Sequence, residues 1–114
     1  MEDNLIQLIK ELKHASKNNE APIWLKIAKN ALKSNSSKKT INLKKIDRLT
    51  DDGNAVVISG KILGTGQLSH KVLVSSFSIS NSAAKKIKES GGQVLKFSDM
   101  IEKFPTGKGV KIIG

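Results

Sequence analysis

The chain has 114 residues, enough for one domain with its own hydrophobic core, and its 20 basic residues against 10 acidic ones give a net charge of +10. A soluble domain this basic needs a polyanion to neutralise it, and nucleic acid is the usual partner. The absence of cysteine excludes disulfides and thiolate metal sites, and no apolar run reaches the length of a membrane span.

The first 33 residues predict two amphipathic helices, because apolar residues recur there at helical spacing. The first stripe consists of Leu5, Leu8, Ile9 and Leu12. The second stripe consists of Trp24, Ile27, Ala28, Ala31 and Leu32. We expect the first helix to end at Asn18-Asn19 and Pro22 to occupy the first turn of the second. Since Trp24 lies on the apolar stripe, it is predicted to be a core residue and not a base-stacking surface.

The next segment is polar and then becomes apolar again. Residues 34–40 have no periodicity and no core residue, which predicts a basic loop. Asn42 suits the N-cap of a short helix. The apolar positions of that helix would be Leu43, Ile46 and Leu49. A strand through Ile41 and Leu43 is the alternative, and residues 51–53 predict a turn.

The second half predicts short strands that alternate with helices. The strands are expected at residues 55–58, bounded by Gly60, and at residues 72–77, 94–95 and 109–113. A helix is predicted to begin at Ser80 or Ser82 and to end at Gly91-Gly92. Ser98 is predicted to cap one further turn, which Pro105 closes. The pattern therefore predicts an α/β protein, with basic helices and a loop in residues 1–50 and an α/β core in residues 51–114.

The excess positive charge is concentrated in residues 26–48, which carry eight basic residues against the single acid Asp47, a net +7. These basic residues are Lys26, Lys29, Lys33, Lys38, Lys39, Lys44, Lys45 and Arg48. We expect them to form a nucleic-acid surface on one flank of the molecule. Nineteen of the 20 basic residues are lysine, which acts as a point charge on phosphates and reads bases poorly.

The stretch of residues 60–71 contains the glycine turn Gly64-Thr65-Gly66. It lacks the Gly-Lys-Ser/Thr of a phosphate-binding loop, and Ser69 stands where the dinucleotide fingerprint needs a third glycine. A basic cluster around this turn would let backbone amides approach phosphates; its members are Lys61, His70 and Lys71. The alternative is a tight strand-to-strand turn. Two histidines and scattered carboxylates form no metal or catalytic set.

An ordered series of motifs spans nearly the whole chain. It consists of Trp24-Leu25, Ile41-Asn42-Leu43, Ile46, the stretch 60–66, Leu68, His70-Lys71-Val72, Phe77, Ser82-Ala83, Ile87, Gly91-Gly92, Val94 and the closing stretch 107–114. The series resembles the archaeal and eukaryotic large-subunit ribosomal protein family numbered eighteen-e, a distant relative of bacterial ribosomal protein L-fifteen. The short length and the lack of an extended tail are similar to archaeal members.

The resemblance implies an α/β fold of irregular strand-strand-helix turns, the ribosomal L-fifteen/L-eighteen-e type, with an N-terminal helical extension. It implies a structural role on the cytoplasmic ribosome, with large-subunit rRNA and neighbouring ribosomal proteins as partners. No enzymatic activity, cofactor, metal, membrane or small-molecule substrate is expected. The RNA contacts that it implies are Lys44, Lys45, Lys61, His70, Lys71, Lys108 and Lys111. Two alternatives stay open: a chromatin-like protein that binds free DNA or RNA, and a nucleotide-binding enzyme that uses residues 64–66.

Overall fold

A computed structural model describes residues 3–19, 21–31 and 39–113. Its helices are α1 (Asp3–Asn19), α2 (Pro22–Ala31), α3 (Leu43–Leu49), α4 (Asn81–Glu89) and α5 (Phe97–Lys103). Its strands are β1 (Lys39–Asn42), β2 (Asn54–Leu63), β3 (Val72–Ile79), β4 (Gln93–Val94) and β5 (Val110–Ile113). The predicted α/β class is confirmed, and most of the predicted loop at residues 34–40 lies outside the described residues.

The five strands form one sheet in which every pairing is parallel. The long central strand β2 pairs with β3 along one edge, and β3 pairs in turn with β4. Along its other edge, β2 pairs with β5 over residues 55–58 and with β1 over residues 60–63. Two short strands therefore follow one another along the same edge of β2.

The sheet separates two hydrophobic cores, because successive side chains of a strand point to opposite faces. On β2, Ala55 and Val57 face the core that α1, α2 and α5 build, whereas Val56 and Ile58 face the core under α3 and α4. Both faces are covered, which is the usual setting of a parallel sheet. The strand continues past Gly60, where the sequence predicted an end, through an irregularity in its pairing with β3.

The two N-terminal helices are found where their periodicity predicts them. Ile9 and Leu12 of α1 are buried together with Ile27 of α2. Trp24 is fully buried, and its indole Nε1 donates a hydrogen bond to the carbonyl oxygen of Pro105 at 2.8 Å. The prediction that Trp24 belongs to the core is confirmed, and this bond joins α2 to the segment after α5.

Near Asn42 the structure contains both of the elements that the sequence left open. Strand β1 ends at Asn42, whose side-chain oxygen accepts a hydrogen bond from the amide of Lys45 at 3.0 Å and caps α3. Leu43 and Ile46 of this helix are buried, whereas Leu49 is 45% exposed and lies outside the core. The predicted strand and the predicted helix are thus consecutive.

The caps of the two last helices differ from each other. Ser80 caps α4 and accepts a hydrogen bond from the amide of Ala83 at 3.2 Å, and the helix ends before Gly91, as predicted. The prediction that Ser98 caps α5 is wrong, because the helix already begins at Phe97. Phe97 and Met100 are both buried one turn apart, so burial of Phe97 moves the helix start ahead of Ser98.

Residues 64–71 connect β2 to β3, and the tight strand-to-strand turn considered from the sequence is wrong. The two strands are parallel, so the connection returns along the length of the sheet. It does so over α3, which lies on the same face of the sheet as α4. The glycine turn stands at the start of this crossover.

Candidate nucleic-acid interface

Helix α3 presents a row of cations on the outer side of the molecule. Its buried residues Leu43 and Ile46 face the sheet, which leaves the other side of the helix in solvent. The exposed basic side chains are Lys44, Lys45 and Arg48. They project from a short helix whose start is fixed by the Asn42 cap.

The crossover packs against the length of α3. At its start, the amide of Lys44 donates to the carbonyl oxygen of Thr65 at 3.3 Å. At its end, both the amide and the hydroxyl of Ser69 donate to Oδ1 of Asp47, at 2.8 and 2.7 Å. Two separate points of contact therefore hold the crossover on the helix. We call residues 43–50 together with residues 64–71 the α3 platform.

His70 takes part in the same set of bonds. The hydroxyl of Thr50 donates to the carbonyl oxygen of Ile46 at 2.6 Å, so it accepts from Nε2 of His70 at 2.8 Å. Nδ1 of the ring lies 3.3 Å from Oδ1 of Asp47. The two hydrogen bonds from the Ser69 amide and hydroxyl, and then the charge of His70, lower the pKa of Asp47 below its ordinary value.

The Ser69, His70 and Asp47 side chains do not form a catalytic triad. In a triad, the serine and the carboxylate occupy different nitrogens of the imidazole ring. Here the Ser69 hydroxyl donates directly to Asp47, both groups face Nδ1 of His70, and Nε2 is taken by Thr50. The arrangement anchors a loop and does not activate a nucleophile.

Two lysines fix the platform from elements outside it. The ammonium of Lys86 on α4 donates to the carbonyl oxygens of Gly64 at 2.6 Å and Gly66 at 3.0 Å. The ammonium of Lys111 on β5 donates to the carbonyl oxygen of Leu49 at 3.2 Å, at the end of α3 where a positive charge is stabilising. Lys86 is absent from the residues that the sequence predicts, because nothing in the sequence distinguishes it from Lys85.

The predicted basic residues do not all lie on one flank. Lys26 and Lys29 are exposed on α2, across the sheet from α3, so the basic segment spans both faces. Lys61 is exposed on β2, with its Cα in register with Thr40 and Ser78. It is therefore in the sheet, away from the end of the crossover that carries His70.

The remaining predicted positions are distributed as follows. Lys71 is exposed at the end of the crossover, where its amide donates to Asp52 at 3.2 Å, and Lys108 is exposed in the turn before β5. Lys39 is the first residue of β1, and only its backbone is described. Lys33 and Lys38 lie outside the described residues.

Within the described residues, the cations of α3 have no ion-pair partner. Over residues 3–19, 21–31 and 39–113, the ion pairs are His70 with Asp47, and Lys85 with Glu89 at 4.0 Å. The same ranges contain no group of three or more residues arranged to hold a metal ion. Nor does any helix within them have the length and apolar character needed to cross a bilayer. The cations of the α3 platform are therefore available to bind an anionic partner, on a backbone that hydrogen bonds hold in place.

Comparison with known proteins identifies the family. Residues 9–95 match the model of a family described as ribosomal proteins 50S-L15 and 50S-L18e together with the 60S protein numbered twenty-seven-A. The chain belongs to this family. Its membership confirms the resemblance seen in the sequence, together with the predicted ribosomal role, the location on the cytoplasmic ribosome and the prediction that the protein is not an enzyme.

Three archaeal relatives are similar over almost the whole chain, and each is named large ribosomal subunit protein eL18. The protein of Pyrobaculum aerophilum is 37% identical, over 96% of this chain and 89% of its own. Those of Archaeoglobus fulgidus and Methanothermobacter thermautotrophicus are each 36% identical over 96% of this chain, and over 94% and 91% of their own. The match covers both the N-terminal helices and the sheet.

Proposed function

We propose that this protein is a structural constituent of the large ribosomal subunit that binds rRNA through phosphate-backbone contacts and supports assembly of the subunit. Its partners are large-subunit rRNA and neighbouring ribosomal proteins. The observation that carries this proposal is the α3 platform, where Lys44, Lys45 and Arg48 are exposed and have no ion-pair partner among the described residues. The crossover and β5 bond α3 directly, and α4 bonds the crossover.

The lack of exposed aromatic rings in the described residues favours backbone recognition over base stacking. Trp24 and Phe97 are buried, and Phe77 packs against Phe97 with ring centroids 5.7 Å apart. Proteins that bind single strands stack bases on exposed rings, whereas folded RNA is recognised through its shape and phosphates. Lysine-rich surfaces suit the second mode.

The other residues predicted to contact RNA remain part of the proposal as additional phosphate contacts, except His70. Outside the platform they are Lys26, Lys29, Lys33, Lys38, Lys39, Lys61, Lys108 and Lys111. Lys71 stands at the exposed end of the crossover. The His70 side chain is only 15% exposed, so we assign it to holding the crossover in place and not to a phosphate.

The test is the salt dependence of binding to a large-subunit rRNA fragment. Neutralising α3 with Lys44→Gln, Lys45→Gln and Arg48→Gln should make the negative slope of log affinity against log salt shallower by roughly 2 to 3, because each lost phosphate contact removes about 0.9 from its magnitude. The matched control neutralises three exposed lysines of α1: Lys10→Gln, Lys13→Gln and Lys17→Gln.

The control removes the same net charge from the opposite face of the sheet. We expect it to keep most of the slope, because those lysines lie across the sheet from the platform. Equal losses in the two variants would contradict a specific role of the platform. Equal competition by duplex DNA would contradict specificity for rRNA and would favour the chromatin-like alternative.

A further inference from the structure

The glycine turn at the start of the platform has all three of its carbonyl groups directed into the protein. Lys86 binds the carbonyl oxygens of Gly64 and Gly66, and the amide of Lys44 binds that of Thr65. In a planar trans peptide, the N–H of the next residue points opposite to the carbonyl. The amides of Thr65 and Gln67 therefore point away from Lys86, and the amide of Gly66 points away from Lys44.

These three consecutive amides have no hydrogen-bond partner in the part of the chain that the structure describes. Thr65 and Gln67 are exposed, and Gly66 is half-buried. An exposed amide without a protein partner is satisfied by water or by a ligand oxygen. Runs of successive backbone N–H groups are a known way to bind anions.

The turn is held rigidly in this orientation. A Cβ on Gly64 would overlap the hydroxyl of Ser82, and one on Gly66 would lie 2.7 Å from Cβ of Lys44. The turn is therefore in direct contact with the starts of both α3 and α4. Because the amides are already oriented, a bound anion does not have to order the loop, which favours binding.

The local charge also favours an anion. The ammonium of Lys86 lies at the carbonyl ends of two of these peptides and polarises them, so that their N–H ends become more positive. Lys44 and Lys45 are exposed where the turn touches α3. The carboxylate of Asp47 is bonded to Ser69 at the other end of the crossover.

We propose that the backbone amides of Thr65, Gly66 and Gln67 form a binding site for one phosphate group of the RNA backbone, with Lys86 as the residue that orients them. This inference rests on the proposed function, since it takes the anion to be an RNA phosphate. It adds a contact that involves no side chain of the turn. Lys86 is a positioning residue whose ammonium faces the protein.

The test uses the unaltered protein, labelled with ¹⁵N. Titration with inorganic phosphate at constant ionic strength should shift the amide resonances of Thr65, Gly66 and Gln67 in a saturable way. The control is the turn beside Lys108, where the amides of Gly107 and Val110 already donate to backbone carbonyls. Equal or unsaturable shifts in both turns would overturn the site.

A titration with an rRNA fragment separates this inference from the proposed function. Shifts at the turn together with shifts on α3 support both. Shifts on α3 without any at the turn, or a turn that responds to inorganic phosphate but not to RNA, would overturn this inference alone. A protein that binds no rRNA would overturn the proposed function.

A pair of variants tests the role of Lys86. Lys86→Met should lower the affinity for rRNA about tenfold, because the turn loses the charged hydrogen bonds that orient it. Lys85→Met removes the same charge from an exposed side chain paired with Glu89, and should have little effect. The salt slope should be equal in the two variants, since Lys86 touches no phosphate.

A shallower salt dependence of the affinity for Lys86→Met than for Lys85→Met would show that Lys86 contacts RNA directly and would overturn its positioning role. Equal affinities of the two variants would overturn it as well. Lys86→Arg keeps a cation at the turn and should retain most of the binding. If Lys86→Met does not fold, the titrations of the unaltered protein still decide whether the site exists.

Discussion

Replacing Gly66 by alanine tests how closely the crossover is packed against α3. Gly66 has a φ of +92°, a region that costs a residue with a side chain about 1 to 2 kcal/mol. The added Cβ would also lie 2.7 Å from Cβ and 2.8 Å from the amide nitrogen of Lys44. Relieving that overlap requires backbone movement, which costs a further 1 to 3 kcal/mol or so.

Gly53 is the matched control because it has nearly the same backbone conformation, with a φ of +84°, but nothing within 4 Å of an added Cβ. Gly53→Ala should therefore cost only the conformational part, about 1 kcal/mol after allowing for the smaller entropy of the unfolded chain. The difference between the two variants isolates the contact of the crossover with α3.

Urea unfolding with linear extrapolation provides the assay. We expect Gly66→Ala to lower the free energy of unfolding by roughly 2 to 4 kcal/mol, clearly more than Gly53→Ala. If the two variants agree within about 0.5 kcal/mol, which is the usual range of a surface substitution, the crossover does not press on α3 and the platform is not fixed.

Three further predictions concern single side chains. Trp24→Phe should lower the free energy of unfolding by about 2 to 4 kcal/mol, measured in urea, because a fully buried ring shrinks and a carbonyl loses its donor. Because the pKa of Asp47 is lowered, its bonds to Ser69 stabilise the protein fully above the ordinary aspartate pKa of about 3.9, and this stabilisation is lost as pH falls through the lowered value. In Asp47→Asn, the free energy of unfolding should therefore fall less steeply at acidic pH. The same acidic pH dependence in the variant and the unaltered protein would contradict this prediction. His70 should carry hydrogen on Nε2, since Thr50 can only accept there, and ¹⁵N spectroscopy showing a neutral ring with hydrogen on Nδ1 alone would refute the bonding described.

Helical periodicity made the N-terminal half predictable from the sequence. The stripes of α1 and α2 set the buried faces, and Trp24 is buried where its stripe places it. Asn42 was predictable as a cap because its side chain bonds a backbone amide three residues away, which is a local interaction. Local rules of this kind require no knowledge of the tertiary structure.

The direction of the strands was not predictable, because apolar runs look alike in parallel and antiparallel strands. The crossover at residues 64–71 contains glycines that are typical of a tight turn, yet it has to return along the sheet over α3. Lys86 was missed for a similar reason. Lys85 and Lys86 are neighbours on one helix, but in the folded protein Lys86 bonds the carbonyl oxygens of Gly64 and Gly66, whereas Lys85 is exposed beside Glu89.

The division of the basic segment between two faces was also beyond the sequence. The helices α2 and α3 are close in the chain, but the first covers one core and the second covers the other. The sequence gives the net charge of each segment directly. Where the basic side chains lie in the folded protein depends on which face of the sheet each helix covers. The platform is therefore a smaller surface than the run of basic residues indicated.

Sedimentation of a cell extract tests the central claim most directly, with the unaltered protein compared with the variant that replaces Lys44, Lys45 and Arg48 by glutamine. We predict that the unaltered protein travels with large ribosomal subunits at low salt and is released as the salt concentration rises, and that the variant is released at lower salt. An unaltered protein that stays at the top of the gradient at low salt, or a variant released at the same salt concentration, would contradict the account.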